Sequence, residues 1–450
     1  MNPFRALVDY AALQRRFYRY TTDDIRRYQW REIENLLALV RARSAFYRDL
    51  YRHQEVRSLA EFAELPTINK ATMMENFDQL NTVGLKRDEL VAYAVEKELA
   101  HDYFGYYAGK YVVGLSSGTS GAKGIYVTPR SLTARLPAVF LARGGIPLRL
   151  LPFRILFLLR VFSQGFADIR APFISLTYLS TMTDPNVIID RINDEQITIL
   201  MAPPSLLRVL LPHVGRIRVK PKRIVSYAEV LEREEKERLQ RSFGCPVVEI
   251  YQTSEGPIGS ACNHGTLHIN EDLMYVELLD DDGDPVTEPG EIARQVVVTN
   301  LVNTVQPLIR YEMNDLVELG GPCPCGSRFR TIGKVIGRDD DVFVFHTSDG
   351  RERPVFPDLM SRWIITSGDA IREYRVEQRS TGDLVVTVEI TADGDQASVK
   401  AALLQRLRAE FSALGIAPTV QVEFAELPLP PDSRKFKRFV RTNPTPSLDH

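Results

Sequence analysis

From Tyr111 to Ile250 the chain alternates between two textures, and no other feature restricts the fold as much. Short apolar runs at 111–115, 197–202, 223–226 and 246–250 are bounded by turn residues and read as buried strands. Segments with helical spacing, such as 185–193 and 231–243, lie between several of them. Parallel strands need crossover connections, and helices supply them. The alternation therefore predicts an α/β domain with a largely parallel sheet. The greasiest stretch, 146–162, is interrupted by Arg149, Arg154 and Arg160. Its longest uncharged run, 155–159, is far shorter than the ~20 apolar residues of a membrane span, so a buried element of a large core is expected.

The flanks differ in texture. Residues 28–51 place Ile33, Leu36, Leu37, Val40, Phe46 and Leu50 at helical spacing. Past Asn270, the stretches 274–279 and 292–300 alternate around an acidic turn with Asp282-Gly283, which is a hairpin signal. After Gly337-Arg338 a new unit begins, with strands at 373–378 and 384–390, a helix at 397–411 and a strand at 419–424. A boundary near Asp340 divides the 450 residues into 1–338 and 339–450.

Composition narrows the class. Fifty-six basic against 58 acidic side chains leave a net charge of −2, which lacks the cationic excess a nucleic-acid binder uses. Four cysteines in 450 residues do not make a disulfide scaffold, and a cytoplasmic protein is expected. The first 16 residues read neither as a signal peptide nor as a transit peptide.

Five motifs carry chemistry. Ser116, Ser117, Gly118, Thr119, Ser120, Gly121, Ala122, Lys123 and Gly124 follow the run 111–115. Such a loop can present successive N–H groups, hydroxyls and an ammonium to phosphate, although it lacks the Walker spacing and could be a polar turn. Tyr251-Gln252-Thr253-Ser254-Glu255-Gly256 ends another predicted strand, where open α/β sheets bind ligands. Arg310-Tyr311-Glu312-Met313-Asn314-Asp315, Gly337-Arg338-Asp339-Asp340-Asp341 and the basic run Arg434 to Arg438 follow. Taken singly, each also reads as a strand end, a turn or a solvated face.

In this order the five resemble the adenylate-forming superfamily, and within it the phenylacetate–CoA ligase and coenzyme F390 synthetase-like branch. Ala45-Phe46-Tyr47-Arg48, Leu65-Pro66-Thr67-Ile68-Asn69-Lys70, Ala202-Pro203-Pro204-Ser205-Leu206-Leu207 and Ser226-Tyr227-Ala228-Glu229-Val230-Leu231 fit as well. The resemblance implies a large N-terminal adenylation domain of mixed sheets and helices and a small hinged α+β C-terminal domain. By the same resemblance, the loop from Ser116 to Gly124 grips the β- and γ-phosphates of ATP. It is one residue shorter than the usual Thr-Gly-x-Pro-Lys-Gly. Ala228 and Glu229 fall in the adenine-side loop, and Tyr251 stacks on adenine. Ser254 meets the α-phosphate and Glu255 holds Mg²⁺. Asp315 accepts the ribose hydroxyls, Arg338 supports ribose or phosphate, and Asp340 is the hinge. Lys435 bridges the substrate carboxylate and the α-phosphate, with Arg434 where glycine is usual.

The activity so implied is ATP-dependent activation of a carboxylic acid, with release of pyrophosphate and transfer to CoA. One alternative gives the acyl group to an amine, a carrier protein or another nucleophile; a second is a regulatory nucleotide-binding protein without turnover. Phe162, Phe166, Tyr227 and Ile258 are candidate lining for an aryl or medium acyl group, with core packing as their other reading. Apart from these stand Cys323-Pro324-Cys325 and, upstream, Cys262 with His264 and His268. Three thiolates and one imidazole suit a structural tetrahedral Zn²⁺, with His268 the preferred fourth ligand and His264 the alternative. The pairing resembles zinc-bearing members of the same branch. Cys245 reads as a buried thiol only.

Overall fold

The computed structural model describes residues 3–99, 105–115, 124–159, 173–181, 183–338, 341–368, 370–427 and 437–442. Its centre is a ten-stranded mixed sheet. Five parallel strands lie in the spatial order Ile174–Ser180, Phe153–Leu159, Ile199–Ala202, Arg223–Tyr227 and Val247–Gln252. Phe153–Leu159, from the greasiest stretch, lies between two of the others with Phe153, Leu156 and Leu158 fully buried, which is why its run is apolar without alternation. The helix Pro185–Asp194 has Asp184 as its N-cap and proline in its first turn, and it lays Ile188, Ile189 and Ile192 on the sheet. The helix Arg233–Phe243 ends at Gly244 (φ +68°), a left-handed cap that suits glycine.

Because the five strands run the same way, their carboxyl ends share one edge, where Tyr227 and Tyr251 emerge. At Thr253–Gly256 the chain reverses into an antiparallel wing in the order Pro257–Ala261, Leu267–Ile269, Thr331–Arg338, Asp315–Leu319 and Ile292–Ala293. The expected hairpin forms between Met274–Leu279 and Gln295–Asn300, and Tyr311–Met313 joins it as a third strand.

Two elements differ from the sequence reading. Tyr111–Leu115 is a strand, but it pairs with Ile125–Pro129 in a two-stranded ribbon outside the main sheet. Its run is in fact an alternating one: Tyr111, Val113 and Leu115 pack on Phe77, Leu90, Ile125, Val127 and Val305. The single helix expected over 28–51 is two, Thr22–Arg43 and Ala45–Leu50. Ser44 divides them, closing the first with its N–H on Val40 and capping the second by accepting from the Tyr47 N–H.

Residues after 341 build a second core around Phe343, Trp363, Val376, Leu403, Leu407 and Phe411. All four expected elements are present, as Ile371–Ser380, Asp383–Ile390, Gln396–Ala413 and Thr419–Phe424. Phe439–Arg441 completes the four-stranded sheet, and a ribbon (Phe343–His346 with Glu352–Val355) and the helix Pro357–Ile365 are added. Among the described residues no helix is long and apolar enough to cross a membrane.

Candidate active site and metal centre

At the shared strand edge the fold gathers three of the five motifs. Asp315 and Arg338 are register partners on adjacent antiparallel strands, with Nε 3.6 Å from Oδ1. Motifs 23 residues apart in sequence thus supply an acid and a guanidinium side by side. The Tyr251 hydroxyl donates to Asp315 Oδ2 at 2.6 Å. Burial, with Asp315 beside it, raises the phenol far above its usual pKa, so it remains a donor.

The turn after Tyr251 carries Ser254, which is exposed, and Glu255, which is half-buried. Asn300 Nδ2 donates to the Glu255 carbonyl at 2.7 Å, and the Tyr126 hydroxyl donates to Glu255 Oε1 at 2.8 Å. Gly256 must lack a side chain: a Cβ there would lie 2.6 Å from Met274 Sδ and 2.9 Å from Asn300 Nδ2. Lys70, half-buried at the start of the helix Lys70–Glu75, feels both Glu255 and Arg338. Burial lowers its ammonium pKa, Glu255 opposes that, and Arg338 adds to it.

Arg310 delivers that lysine. Its guanidinium pairs with Glu277 at 2.9 Å and donates to the Leu65 carbonyl. Its own carbonyl accepts from Ile68 at 3.0 Å, and the Glu312 N–H donates to the Ile68 carbonyl at 2.8 Å. Segment 65–70 is thereby stitched to the strand Tyr311–Met313.

On the neighbouring strand end, Ala228 has φ +69°, a left-handed position that favours glycine. Glu229 accepts from the Ser205 N–H at 2.9 Å and from its hydroxyl at 2.7 Å. Two of the quoted motifs are therefore bonded to each other, and the Glu229 carboxylate is engaged with protein. Tyr227 is half-buried against Phe157, with its hydroxyl on the Leu158 carbonyl, whereas Ile258 is 1% exposed within the main core. Ile258 therefore packs. Ser116, Ser117, Gly118, Thr119, Ser120, Gly121, Lys123, Phe162, Phe166, Asp340 and Lys435 lie outside the described residues.

Sequence reasoning missed Tyr126 altogether and gave Lys70 no role. The run after Gly124 is a strand, and reading it so would have marked Tyr126 as an ordered aromatic close behind the loop.

The cysteines converge at a different place. One donor atom each from Cys262, His268, Cys323 and Cys325 lie within 4.8 Å of one another. Cys262 Sγ is 3.6 Å from Cys323 Sγ, and Cys325 Sγ is 3.4 Å from His268 Nε2. Tetrahedral Zn–S bonds of ~2.3 Å put sulfurs roughly 3.8 Å apart, so the donor set fits zinc. His268 Nδ1 lies 2.9 Å from the Phe329 carbonyl, an arrangement that turns Nε2 towards the thiols. Burial lowers the imidazole pKa, favouring the neutral ring a metal requires, and raises Cys325 to about 12. His264 is exposed, and only its backbone N–H meets Cys262 Sγ, at 3.3 Å. Cys245 is buried elsewhere, with its thiol raised to about 11. A cavity of about 260 Å³ beside the thiols, lined by Tyr18, Arg143, Ser260 and His264, includes none of the residues assigned to nucleotide or acyl group.

No family model matches the chain. It is 25% identical over 243 residues to Protein CapK of Staphylococcus aureus, covering 53% of this chain and 50% of that protein. It is 27% identical over 216 residues to phenylacetate-coenzyme A ligase of Thermus thermophilus, covering 45% and 46%. The matches span about half the length of these curated relatives. A 2-hydroxyisobutyryl-CoA ligase, solved in the postadenylation state with 2-HIB-AMP, superposes with TM-score 0.71 at 17% identity, over 95% of this chain and 91% of that one. The chain thus has the fold of the adenylate-forming enzymes, the superfamily its motif order resembles.

Proposed function

We propose that the chain activates a carboxylic acid with ATP as an acyl-adenylate and then transfers the acyl group to CoA. The observation that supports this best is the gathering of Tyr251, Asp315, Arg338 and Glu255 at one strand edge. The solved ligase with its bound acyl-AMP supports it too, as does the relative named for phenylacetate.

Substrate carboxylate and ATP repel each other, so the site's first task is to lower that repulsion. Glu255 would hold Mg²⁺, which supplies charge neutralisation on the phosphates. Asp315 and Arg338 would orient the ribose side, and Lys70 adds a cation at the same edge. Lys435 would draw the substrate carboxylate to the α-phosphate. A carboxylate oxygen then bonds to the α-phosphorus as its bond to the bridging oxygen breaks, and pyrophosphate leaves. Next, the 339–450 unit would turn about Asp340, withdrawing Lys435 and admitting a thiol. The thiolate attacks the acyl carbon and AMP departs. Zn²⁺ at Cys262, His268, Cys323 and Cys325 would be structural, with four protein ligands and no open position. Four free thiols fit a reducing cytoplasm.

Lys435→Ala tests the mechanism. Pyrophosphate exchange should vanish, while thioester formation from pre-made acyl-adenylate should persist. Survival of both half-reactions would remove Lys435 from the mechanism. Pyrophosphate release with a panel of aryl and medium-chain acids identifies the substrate; no release with any of them would favour a binding protein without turnover. Mass spectrometry of the product with and without CoA distinguishes thioester from amide.

A further inference from the structure

Tyr126 lies outside every motif, yet it makes the hydrogen bond to the carboxylate most directly concerned with a cation. Its hydroxyl is 2.8 Å from Glu255 Oε1 and 3.2 Å from the Tyr311 hydroxyl. Both phenols are buried, Tyr126 at 9% exposure and Tyr311 at 2%. A phenol carries one proton. The Tyr311 hydroxyl is also hydrogen-bonded to the Glu255 side chain, and either phenol can donate in the tyrosine pair, so the three groups form one network around Glu255. Burial and the nearby carboxylate raise both phenols well above their usual pKa, which keeps them protonated donors.

The element that carries Tyr126 is firmly held. It sits on the strand Ile125–Pro129, which leaves the glycine-serine loop. The Val127 N–H donates to Gln306 Oε1 at 2.7 Å, and Asn303 Nδ2 donates to the Val127 carbonyl at 2.9 Å. The Glu255 main chain is fixed independently through Asn300. A carboxylate fixed at its backbone and hydrogen-bonded at Oε1 cannot rotate freely, so its remaining lone pairs point in set directions. Such outer-shell hydrogen bonds orient metal ligands and set their basicity.

We propose that Tyr126, together with Tyr311, is a positioning residue that holds the Glu255 carboxylate in one orientation towards the divalent cation accompanying the nucleotide. This rests on the adenylate-forming reading above.

The test uses Mn²⁺ as an EPR-visible probe with the full chain and a non-hydrolysable ATP analogue. Tyr126→Phe should weaken Mn²⁺ binding by about 10- to 100-fold, the usual cost of losing an outer-shell partner. Analogue binding without metal and the melting temperature should stay near wild type. The Mg²⁺ concentration for half-maximal pyrophosphate exchange should rise by a similar factor, with the rate recovered at saturating Mg²⁺. Tyr311→Phe should show a smaller loss in the same direction, and it carries the test should Tyr126→Phe not fold. Mn²⁺ affinity within twofold of wild type in both variants overturns the positioning role and leaves the proposed function standing. Wild-type protein that binds no Mn²⁺ with the analogue overturns the proposed function itself, and the positioning role with it.

Discussion

Ala228 occupies a left-handed backbone position, at φ +69°, on an exposed loop. An L-residue there costs roughly 1–2 kcal/mol, and glycine gives back part of that as lost chain entropy. Ala228→Gly should therefore stabilise the protein by about 0.5–1 kcal/mol, a Tm rise of roughly 1–3 °C in thermal unfolding. Gly256 is the opposite case. Any Cβ meets Met274 and Asn300, so Gly256→Ala should cost about 1–3 kcal/mol and lower the Tm accordingly. Because Asn300 also holds the Glu255 carbonyl, the same variant should disturb cation binding. At this scale Tyr251, Asp315 and Arg338 could be grouped from the sequence because each lies at or beside a strand end, where side chains leave the sheet together. Tyr126 was not legible. Its partner Glu255 is 129 residues away, and nothing local in the sequence records a hydrogen bond of that range.

Among the elements, the thiol cluster lies where three neighbouring strands of the wing meet the turns that flank them. Cys262 ends the strand Pro257–Ala261, His268 is central in Leu267–Ile269, and Cys323 and Cys325 lie on the turn leading to Thr331–Arg338. Phe17 and Ile25 of the first two helices pack on the same cluster with Phe329. A metal here would tie the turn at Cys262 and the strand with His268 to the turn at Cys323 and Cys325, beneath the N-terminal helices. Purified protein should contain about one zinc per chain, and less than half an equivalent would count against the site. Removing the metal, or Cys323→Ser, should lower the Tm and open the region around Phe17 to hydrogen exchange, with little effect on the strand edge that carries Asp315. The donor set was legible because thiol pairs are rare in a chain with four cysteines. His268 was the histidine preferred over His264, and strand pairing faces it inward with the thiols while His264 stays in the exposed turn. The strand Tyr111–Leu115 taught a related lesson, since five residues are too few to tell an alternating run from a continuous one.

For the molecule as a whole, the second core was readable from its strand and helix periods, but its seating against the large sheet was not. That contact includes a buried charge cluster in which Arg208 and Glu373, 165 residues apart, are paired. Arg208 Nη2 lies 2.8 Å from Glu373 Oε2 and its other nitrogen bonds Glu235, while Arg438 Nε reaches Glu373 Oε1 at 2.8 Å. Arg438 follows Lys435 by three residues, so the cluster also anchors the segment that the proposed mechanism must move. The groups facing Glu373 are Arg208 on its helix, Glu235 on Arg233–Phe243, Glu229 on the loop after Arg223–Tyr227, and Arg438 on the approach to Phe439–Arg441. Burial raises Glu373 to about 7; Arg208 opposes this, and Glu229 and Glu235 reinforce it. A carboxyl with a higher pKa when seated than when free binds more protons seated. The contribution of Glu373 to seating is therefore fully present below the free carboxylate range of ~4.5 and is lost as pH rises towards 7. Seating of the 341–442 unit should accordingly loosen between about pH 5 and pH 7.5, read as faster hydrogen exchange along Ile371–Ser380 and the helix Pro204–Leu210. Glu373→Gln cannot titrate and should flatten that profile, leaving a weaker slope from Glu235, which burial also raises. An unchanged slope in Glu373→Gln would mean that the cluster stays fully ionised, with its two arginines outweighing burial.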